Sequence, residues 1–527
     1  MLIRKPDLAE IYIEGNGKND AFVSTTLEND ALCVFLKAEA SQPRYVRLRW
    51  IFTPSEKRNE PVHVMEESWE RGYGTLKWRG IDPSEATPWT FAVSNGTDTD
   101  PDVNSRYTEC FGVKVCPNAM CFWQYDQKGV TLWADVRNGG SGVKLMGREL
   151  MVCEVLFREY RDITAFRAVN AFYGMLCDDP LIAPEKIYGA NNWHYAYGLF
   201  DHQDIVNDAK LISGLCEGLA NRPYMVIDAG WESGRHKVLL SNSSCPDMKK
   251  LAEDIAVQGA KPGIWVRYLI DEEYGIFPRL ASQRMARDTD YLDPSHPDVL
   301  RVVYDQTNQM VNEWNYRLIK HDFSTYDIFG CWGQPSSNRG MAQDGWHFYD
   351  QSKTTAEIIK NFYETILKGT KGNAVILGCN VIGHLAAGYV HANRTGDDTS
   401  GRFWDMNRFN GVNALAFHMM HNRNFYAADP DCVGATDRVP WNMNREWLKA
   451  VGCSGTTLFL SIKPGVFNEE QYDEMREALA VNSVQEDMLE PVDWMETLNP
   501  TKWLLNGKPV TFNWVPEEGS DFFNPCV

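Results

Sequence analysis

Apolar runs long enough to cross a membrane are missing from this chain of 527 residues. No segment approaches the roughly 20 apolar residues that a helical span requires. The opening residues, MLIRKPDLAEIYIEGNG, also lack the apolar core of about 7–15 residues found in signal peptides. Basic charge is scarce: 52 Lys and Arg face 71 Asp and Glu, for a net charge of −19 and a pI near 5.1. Binding a phosphate backbone needs a basic surface, so nucleic acid is excluded as a partner and a neutral or weakly charged substrate fits better. Metal-site cysteine spacing is absent as well. The 13 Cys are odd in number and scattered, and Cys110, Cys116 and Cys121 lack the Cys-x-x-Cys pattern. Free thiols in a reducing cytoplasm are the expectation, which makes Asn95-Gly-Thr and Asn393-Arg-Thr chance matches to glycosylation acceptors. There is no Gly-x-Ser-x-Gly elbow, phosphate loop or dinucleotide fingerprint, which disfavours the catalytic classes those motifs mark. Internal repeats and low-complexity stretches are also missing.

What the chain does have is length, apolar content and rings. The hydrophobic fraction of 44% and charged fraction of 23% are those of a globular protein able to bury a large core. The length predicts more than one domain, and one of them can be a barrel of about 250 residues or more. Aromatic residues make up 12%, with 18 Trp. Sugar clefts use such rings as platforms, but β-rich cores use them too.

Residues 1–183 read as an N-terminal β-sandwich domain. Alternating runs such as Ala31-Leu-Cys-Val-Phe-Leu, Tyr45-Val-Arg-Leu-Arg-Trp-Ile-Phe and Gly129-Val-Thr-Leu-Trp-Ala are separated by Gly, Asn, Asp and Pro clusters. A helical stretch near Ile163–Leu176 then leads into Pro180-Leu-Ile-Ala-Pro184. Over 184–488 short buried runs alternate with amphipathic helical patterns. The predicted strands are Ile187–Gly189, Tyr224–Asp228, Lys261–Val266, Arg317–Asp322, Ala374–Gly378, Tyr389–Ala392, Ala414–Phe417 and Thr457–Ser461. Helices are predicted over Gln203–Leu219, Pro297–Trp314 and Ser352–Leu367. Repeated β-then-α units imply a parallel sheet, and eight of them fit an α/β fold of the (β/α)8 TIM-barrel type. Residues 489–527 turn β-like again (Val510-Thr-Phe-Asn-Trp-Val) and suggest a short C-terminal β element.

Active sites of such barrels lie at the C-terminal ends of the strands. The residues that follow the apolar runs are polar and concentrated there: Asn191-Asn192-Trp193, Asp228-Ala229-Gly230-Trp231, Trp265 with Arg267, Lys320-His321-Asp322, Cys379-Asn380 and Arg394-Thr395-Gly396-Asp397-Asp398. Asp429-Pro430-Asp431 sits in a later loop. Glycoside hydrolysis needs two carboxyls flanking the bond, one ionised and one protonated. Lys320 lies two residues before Asp322, so both side chains are expected to point the same way, with the ammonium keeping the carboxylate charged. Adjacent Asp397 and Asp398 crowd each other, which helps one of them keep a proton. Each piece has a bland reading. Lys-x-Asp is most often a surface pair, Asp-Asp a solvated turn or N-cap, and His418 with His421 a packed pair rather than a metal site. Joint placement after successive strands is what favours chemistry.

In these motifs the sequence resembles clan D of the glycoside hydrolases, the α-galactosidase families 27 and 36. Asn191-Asn192-Trp193 resembles the family 36 N-S-W, and Ile227-Asp228-Ala229-Gly230-Trp231 the clan's D-D-G-W. Gly263-Ile264-Trp265 is similar to G-[IL]-W, and Lys320-His321-Asp322 to the K-x-D that carries the nucleophile. Cys379 falls where family 36 has C-S-G-G, Gly396-Asp397-Asp398-Thr399 resembles S-D-[DN]-T, and Asp429-Pro430-Asp431 resembles the family 27 D-P-D. The resemblance implies a retaining α-glycosidase on an oligosaccharide or glycoside, with Asp322 as nucleophile and with no metal or organic cofactor. Asp397 is implied as acid/base, although the family 27 pattern R-x-x-x-D counted from Arg394 selects Asp398. Asn192, Trp193, Asp228, Trp231, Trp265, Arg267, Lys320, Cys379, Asn380, Arg394 and Asp431 are implied to line the sugar site. A transglycosylase resembling raffinose or stachyose synthases uses the same machinery, and a non-catalytic carbohydrate-binding barrel is the third reading. A homo-oligomer is compatible with the sequence. Ala229 stands where the clan has a second carboxylate that grips sugar hydroxyls, so the sugar is less determined than the mechanism. Arg235-His236-Lys237 is either a solvated basic loop or a contact to an anionic or bulky sugar substituent.

Overall fold

The computed structural model describes residues 3–56, 62–99, 106–234, 239–270, 291–333, 340–517 and 519. Two antiparallel sheets occupy the first third. One has five strands in the order Leu8–Ile13, Pro43–Ile51, Gly129–Asp135, Met120–Asp126, Thr87–Pro88. The other has seven, in the order Phe22–Glu28, Ala31–Lys37, Leu150–Arg161, Tyr107–Val113, Thr90–Ser94, His63–Met65, Trp78–Arg79. Their residues specify them locally. Asn29 and Asp30 both take positive φ (48° and 63°) in the two-residue hairpin that joins Phe22–Glu28 to Ala31–Lys37, a geometry that short polar residues tolerate. Along Pro43–Ile51, Val46, Leu48 and Trp50 are buried while Arg47 and Arg49 between them are half-exposed, the period of a strand with one face on a core. The two inner faces meet through rings: Trp50 packs on Phe157 (centroids 5.0 Å apart) and Trp123 on Phe91 (5.8 Å). This is sheet-on-sheet packing, a sandwich.

The parallel strands follow: β1 (Tyr188–Asn191), β2 (Tyr224–Ile227), β3 (Lys261–Val266), β4 (Leu318–His321), β5 (Val375–Gly378), β6 (Ala392–Arg394), β7 (Ala427–Asp429), β8 (Val433–Ala435) and β9 (Leu458–Ile462). The order in the sheet is β7-β6-β5-β4-β3-β2-β1-β9-β8. The two edge strands, β7 and β8, are separated by only Pro430, Asp431 and Cys432, and the Thr457 N–H donates to the Ala428 carbonyl (3.0 Å). The sheet therefore closes on itself, and β7 and β8 are two halves of the seventh strand of a (β/α)8 barrel. Strands such as β2 and β5 are buried along their whole length because helices cover the outside. The covering helices carry their own start signals. Asp201 with Asp204 caps His202–Leu215, and Thr354 with Glu357 caps Thr355–Thr370, each as a reciprocal capping box.

Two expectations fail here. Ala414–Phe417 is not a strand but most of a short helix, Asn413–Phe417, continuing from a π-helical turn at Asn407–Val412. A short apolar run cannot be assigned to helix or strand by periodicity alone, and Ala and Leu favour the helix. The seventh strand lies instead at β7 and β8, where Pro430 splits it. The predicted helix Pro297–Trp314 ends as an α-helix at Asn308 and finishes as a π-turn, Gln309–Glu313. At the C-terminus Leu489–Pro491, Lys502–Leu505 and Lys508–Thr511 form a three-stranded antiparallel sheet, its last hairpin turned by Asn506-Gly507 at positive φ. Among the described residues no helix is long and apolar enough to cross a membrane.

Candidate active site

The barrel brings the polar residues that follow β1 to β7 onto one rim. Asp228, one residue past β2, is buried, 3% exposed. Its Oδ2 accepts from Lys320 Nζ (2.6 Å) and Asn191 Nδ2 (2.7 Å), its Oδ1 from the Ala229 N–H (2.8 Å), and its own N–H donates to Asn192 Oδ1 (2.8 Å). This corrects the expected pairing of Lys320 with Asp322. Lys320 points into the barrel from β4 and reaches the carboxylate beyond β2. Asp322 lies past the end of β4, where the backbone turns and strand alternation no longer applies. Burial alone would push the Lys320 ammonium down, but Asp228 outweighs it and holds the group well above its ordinary range.

Asp322 is half-buried and held by two N–H donors, Trp265 Nε1 on Oδ2 (2.9 Å) and the Phe323 amide on Oδ1 (2.7 Å). Phe323 has φ +64°, a left-handed conformation that an aromatic residue rarely adopts and that costs about 1–3 kcal/mol. Its ring lies under the Arg267 guanidinium, 4.2 Å away, and Arg267 is in turn locked onto buried Asp327 (2.5–3.1 Å). Arg267 therefore supports the Asp322 turn and has its hydrogen bonds within the protein. Trp231 is likewise buried, 1% exposed, and donates to the Trp265 carbonyl (3.0 Å), so it backs Trp265 rather than facing a cleft. Trp193 is half-buried at the rim beside Tyr197 (5.6 Å). Cys379, after β5, is buried. Burial first, then the Asp322 charge, push its thiol well up, so it stays protonated. Asn380 is fully buried, its carbonyl accepting from Ser324 and Thr325.

Arg394, at the end of β6, is the hub of the opposite side. Its Nη2 lies 3.0 Å from Asp398 Oδ1 and 3.1 Å from Asp431 Oδ2, and its Nη1 meets Cys379 Sγ at 3.5 Å. Asp431, at positive φ in the break between β7 and β8, also takes His194 Nε2 (3.0 Å), the Thr399 N–H (2.8 Å) and the Thr399 hydroxyl (3.0 Å) on that same oxygen. Burial acts upward on Asp431, but Arg394 and His194 hold it well below the usual carboxylate range. Asp397 and Asp398 are both half-buried and differ in their surroundings. Burial pushes Asp397 up, Arg71 opposes it, the Asp398 charge adds to it, and the net direction is up. Burial acts the same way on Asp398, but Arg394 and Arg71 outweigh it, and the net direction is down.

Arg71 was not visible as a site residue in the sequence. It comes from the N-terminal third, is 6% exposed, and places Nη2 2.7 Å from Asp397 Oδ1 and Nη1 3.9 Å from Asp398 Oδ1. The Trp332 ring lies 5.4 Å from its guanidinium. Beside it, Glu70 accepts from Asn380 Nδ2 (2.7 Å), and burial pushes its carboxyl up to about 7. Glu67 meets His418 Nε2 (2.6 Å) and His421 Nε2 (3.3 Å). The two imidazoles are stacked, 4.5 Å apart and 18° from parallel, and the ligand atoms of the three residues lie within 4.8 Å of one another, but both Nε2 atoms are already engaged by the Glu67 carboxylate. His194, Asp431 and Cys432 also lie close together, but a guanidinium 3.1 Å from the Asp431 oxygen suits an ion pair better than a cation. Arg235-His236-Lys237 lies outside the described residues.

No protein-family model matches the chain. Solved structures do, and their class is that of the family 36 α-galactosidases, whose fold this chain shares. TtGalA, the α-galactosidase of Thermus thermophilus solved with p-nitrophenyl α-D-galactopyranoside, superposes with a TM-score of 0.58 at 13% identity over 93% of this chain and 99% of that one. The family 36 α-galactosidase AgaA of Geobacillus stearothermophilus, solved as a variant with stachyose, gives 0.57 at 14% identity over 90% and 73%. The galactosidase domain of the α-galactosidase–sucrose kinase AgaSK gives 0.54 at 16% over 90% and 71%. Identities this low establish the architecture and leave the activity to be argued from the residues.

Proposed function

We propose that this chain is a retaining α-glycoside hydrolase acting on terminal α-linked sugars, its chemistry carried by the barrel of residues 184–488. The observation that carries the reading is the unequal pair of carboxyl sites on one rim. Asp322, after β4, presents a carboxylate fixed by two N–H donors, while Asp397, after β6, is pushed towards keeping its proton. Double displacement requires one carboxyl held in place to attack and another inclined to hold a proton. In the first half-reaction an Asp322 oxygen bonds to the anomeric carbon, the bond to the leaving oxygen breaks, and the Asp397 proton goes to that oxygen. In the second, water gives a proton to Asp397 and its hydroxyl to the anomeric carbon, and the ester to Asp322 breaks. The sum is glycoside plus water to sugar plus alcohol. Asp398, which Arg394 and Arg71 hold below the usual range, suits the acid role less well than Asp397.

The test is a panel of aryl α-glycosides with the wild type, Asp322→Ala and Asp397→Ala. Asp322→Ala is expected to lose activity and to form a β-glycosyl azide when azide is added, and Asp397→Ala to form the α-azide. Full activity in Asp322→Ala sinks the reading. A product assay with added acceptor sugar separates hydrolysis from transfer.

A further inference from the structure

The segment Glu67–Tyr73 crosses from the sandwich to the barrel rim and is built into the Asp397 segment. The Gly72 N–H donates to the Thr395 carbonyl and the Asp397 N–H to the Gly72 carbonyl, both at 2.8 Å. His418 fastens the junction from below. Its Nε2 faces Glu67 (2.6 Å) and its Nδ1 the Thr395 carbonyl (2.7 Å). Both partners are oxygens that accept, so both ring nitrogens donate and the ring is an imidazolium. The cation this strap brings to the half-buried Asp397 is Arg71, itself buried, 2.7 Å away.

Resting on the assignment of Asp397 as acid/base, we propose that Arg71 is its positioning residue, holding the carboxyl in place and stabilising the ionised form that exists between the two half-reactions. The balance of groups fits this. Asp397 gives up its proton in the first half-reaction and takes one back in the second, so its charged form must be tolerated without being permanent. Of the groups facing Asp397, Asp398 and buried Glu70 favour the proton, Arg71 and the more distant Arg394 favour the charge, and the Cys379 thiol beside Arg71 is neutral. Among the described residues Arg71 is the cation nearest to it. The sandwich thereby supplies part of the acid/base unit and does more than flank the barrel.

The experiment compares full-length wild type, Arg71→Met, Arg71→Lys and Asp397→Ala on the phenyl, p-nitrophenyl and 2,4-dinitrophenyl α-glycosides of the sugar that the wild type cleaves best in the aryl α-glycoside panel, with pH profiles of kcat/KM. Arg71→Met is expected to lose at least about tenfold on the phenyl glycoside and under about twofold on the dinitrophenyl one, whose leaving group needs no proton. Its alkaline limb moves up by about one pH unit or more, because an adjacent cation lowers a carboxyl by about 1–3 units. Arg71→Lys restores most of both. If Arg71→Met does not fold, Arg71→Gln, a neutral side chain that can still donate a hydrogen bond, carries the same test. Equal losses on all three substrates with an unmoved limb overturn the proposal and leave Arg71 a structural clamp. Loss of leaving-group dependence in Asp397→Ala overturns the parent assignment instead, and so does a wild type that cleaves no aryl α-glycoside.

Discussion

Lys320 and Asp228 offer the sharpest test of how the rim is held together. Both are buried, 6% and 3% exposed, and their charged atoms are 2.6 Å apart. Removing one partner of a buried pair costs about 3–5 kcal/mol, because the other charge is left without its counter-ion. Lys320→Met leaves Asp228 with the Asn191 amide and the Ala229 N–H, which places this variant near the lower end, about 3 kcal/mol. Asp228→Asn leaves the ammonium with Asp429 and Asp431 as well as the like-charged Arg394 nearby, and is expected to cost a similar amount. The double variant loses both charges together, so a cycle built on urea unfolding at pH 7 should return a coupling of about 2 kcal/mol or more. The alkaline side gives an independent check. A lysine whose folded pKa is raised contributes stability that is fully present below its unfolded value, about 10.4, and lost as pH rises through the folded value. The wild type should therefore shed stability above about pH 10.4 that Lys320→Met does not have to lose. A coupling under about 0.5 kcal/mol would refute the reasoning, because it would mean that the ammonium is not the counter-ion of Asp228.

Two further predictions follow from burial. A Cβ at Gly396 would stand 2.6 Å from the Ala414 Cβ and 3.0 Å from the Asn410 carbonyl, so Gly396→Ala should cost about 1–3 kcal/mol in thermal or urea unfolding. By displacing the segment that carries Asp397, it should also lower kcat/KM more than tenfold. His321 sits in a box of Tyr268, Phe362 and Tyr363 rings at 5.5–5.9 Å, and burial pushes its imidazole down to about 3. The unfolded chain takes up a proton near pH 6.5 that the folded one refuses, so stability is lost as pH falls from about 6.5 towards 3, by about 2 kcal/mol at pH 5. His321→Phe should fold and flatten that loss by about this amount; an unchanged stability difference between pH 7.5 and 5 excludes His321 as its source.

The order of motifs along the chain located the barrel and the residues that end its strands, because β-then-α alternation and the polar residue after each apolar run are local signals. The seventh strand was missed because Pro430 divides it into two three-residue pieces with no apolar run between them. The partner of Lys320 was misread because same-side spacing holds only inside a strand, and Asp322 lies one residue past the end of β4, immediately before the left-handed Phe323. Arg71 could not be found at all. Its contact to Asp397 spans more than 300 positions, and nothing around Ser68-Trp69-Glu70-Arg71-Gly72 marks a strap until the fold brings Gly72 beside Gly396.

Ala229 carries a consequence for which sugar the site would take. Asp228 has both oxygens and its amide engaged by Lys320, Asn191, Ala229 and Asn192, and it has almost no exposed surface. A carboxylate at 229, half-buried and next along the turn, would have been the group free to bind hydroxyls. Without it the β2 end forgoes charge-assisted hydrogen bonds of about 1.5–3 kcal/mol each. The rim instead presents half-buried rings: Trp193 and Tyr197 after β1, with Arg402 stacked on Tyr197 at 3.7 Å, and Phe323 and Trp332 after β4, 5.4 Å apart. Ring faces hold a sugar by its apolar side and discriminate weakly between the orientations of single hydroxyls, whereas a carboxylate discriminates strongly because a buried acceptor left unpaired is expensive. Asp322 and Asp397 are fixed by contacts that do not pass through residue 229. On the proposed function, the absence of that carboxylate relaxes the choice of sugar, and a panel of aryl α-glycosides should show this chain cleaving a wider range than a barrel that keeps the pair.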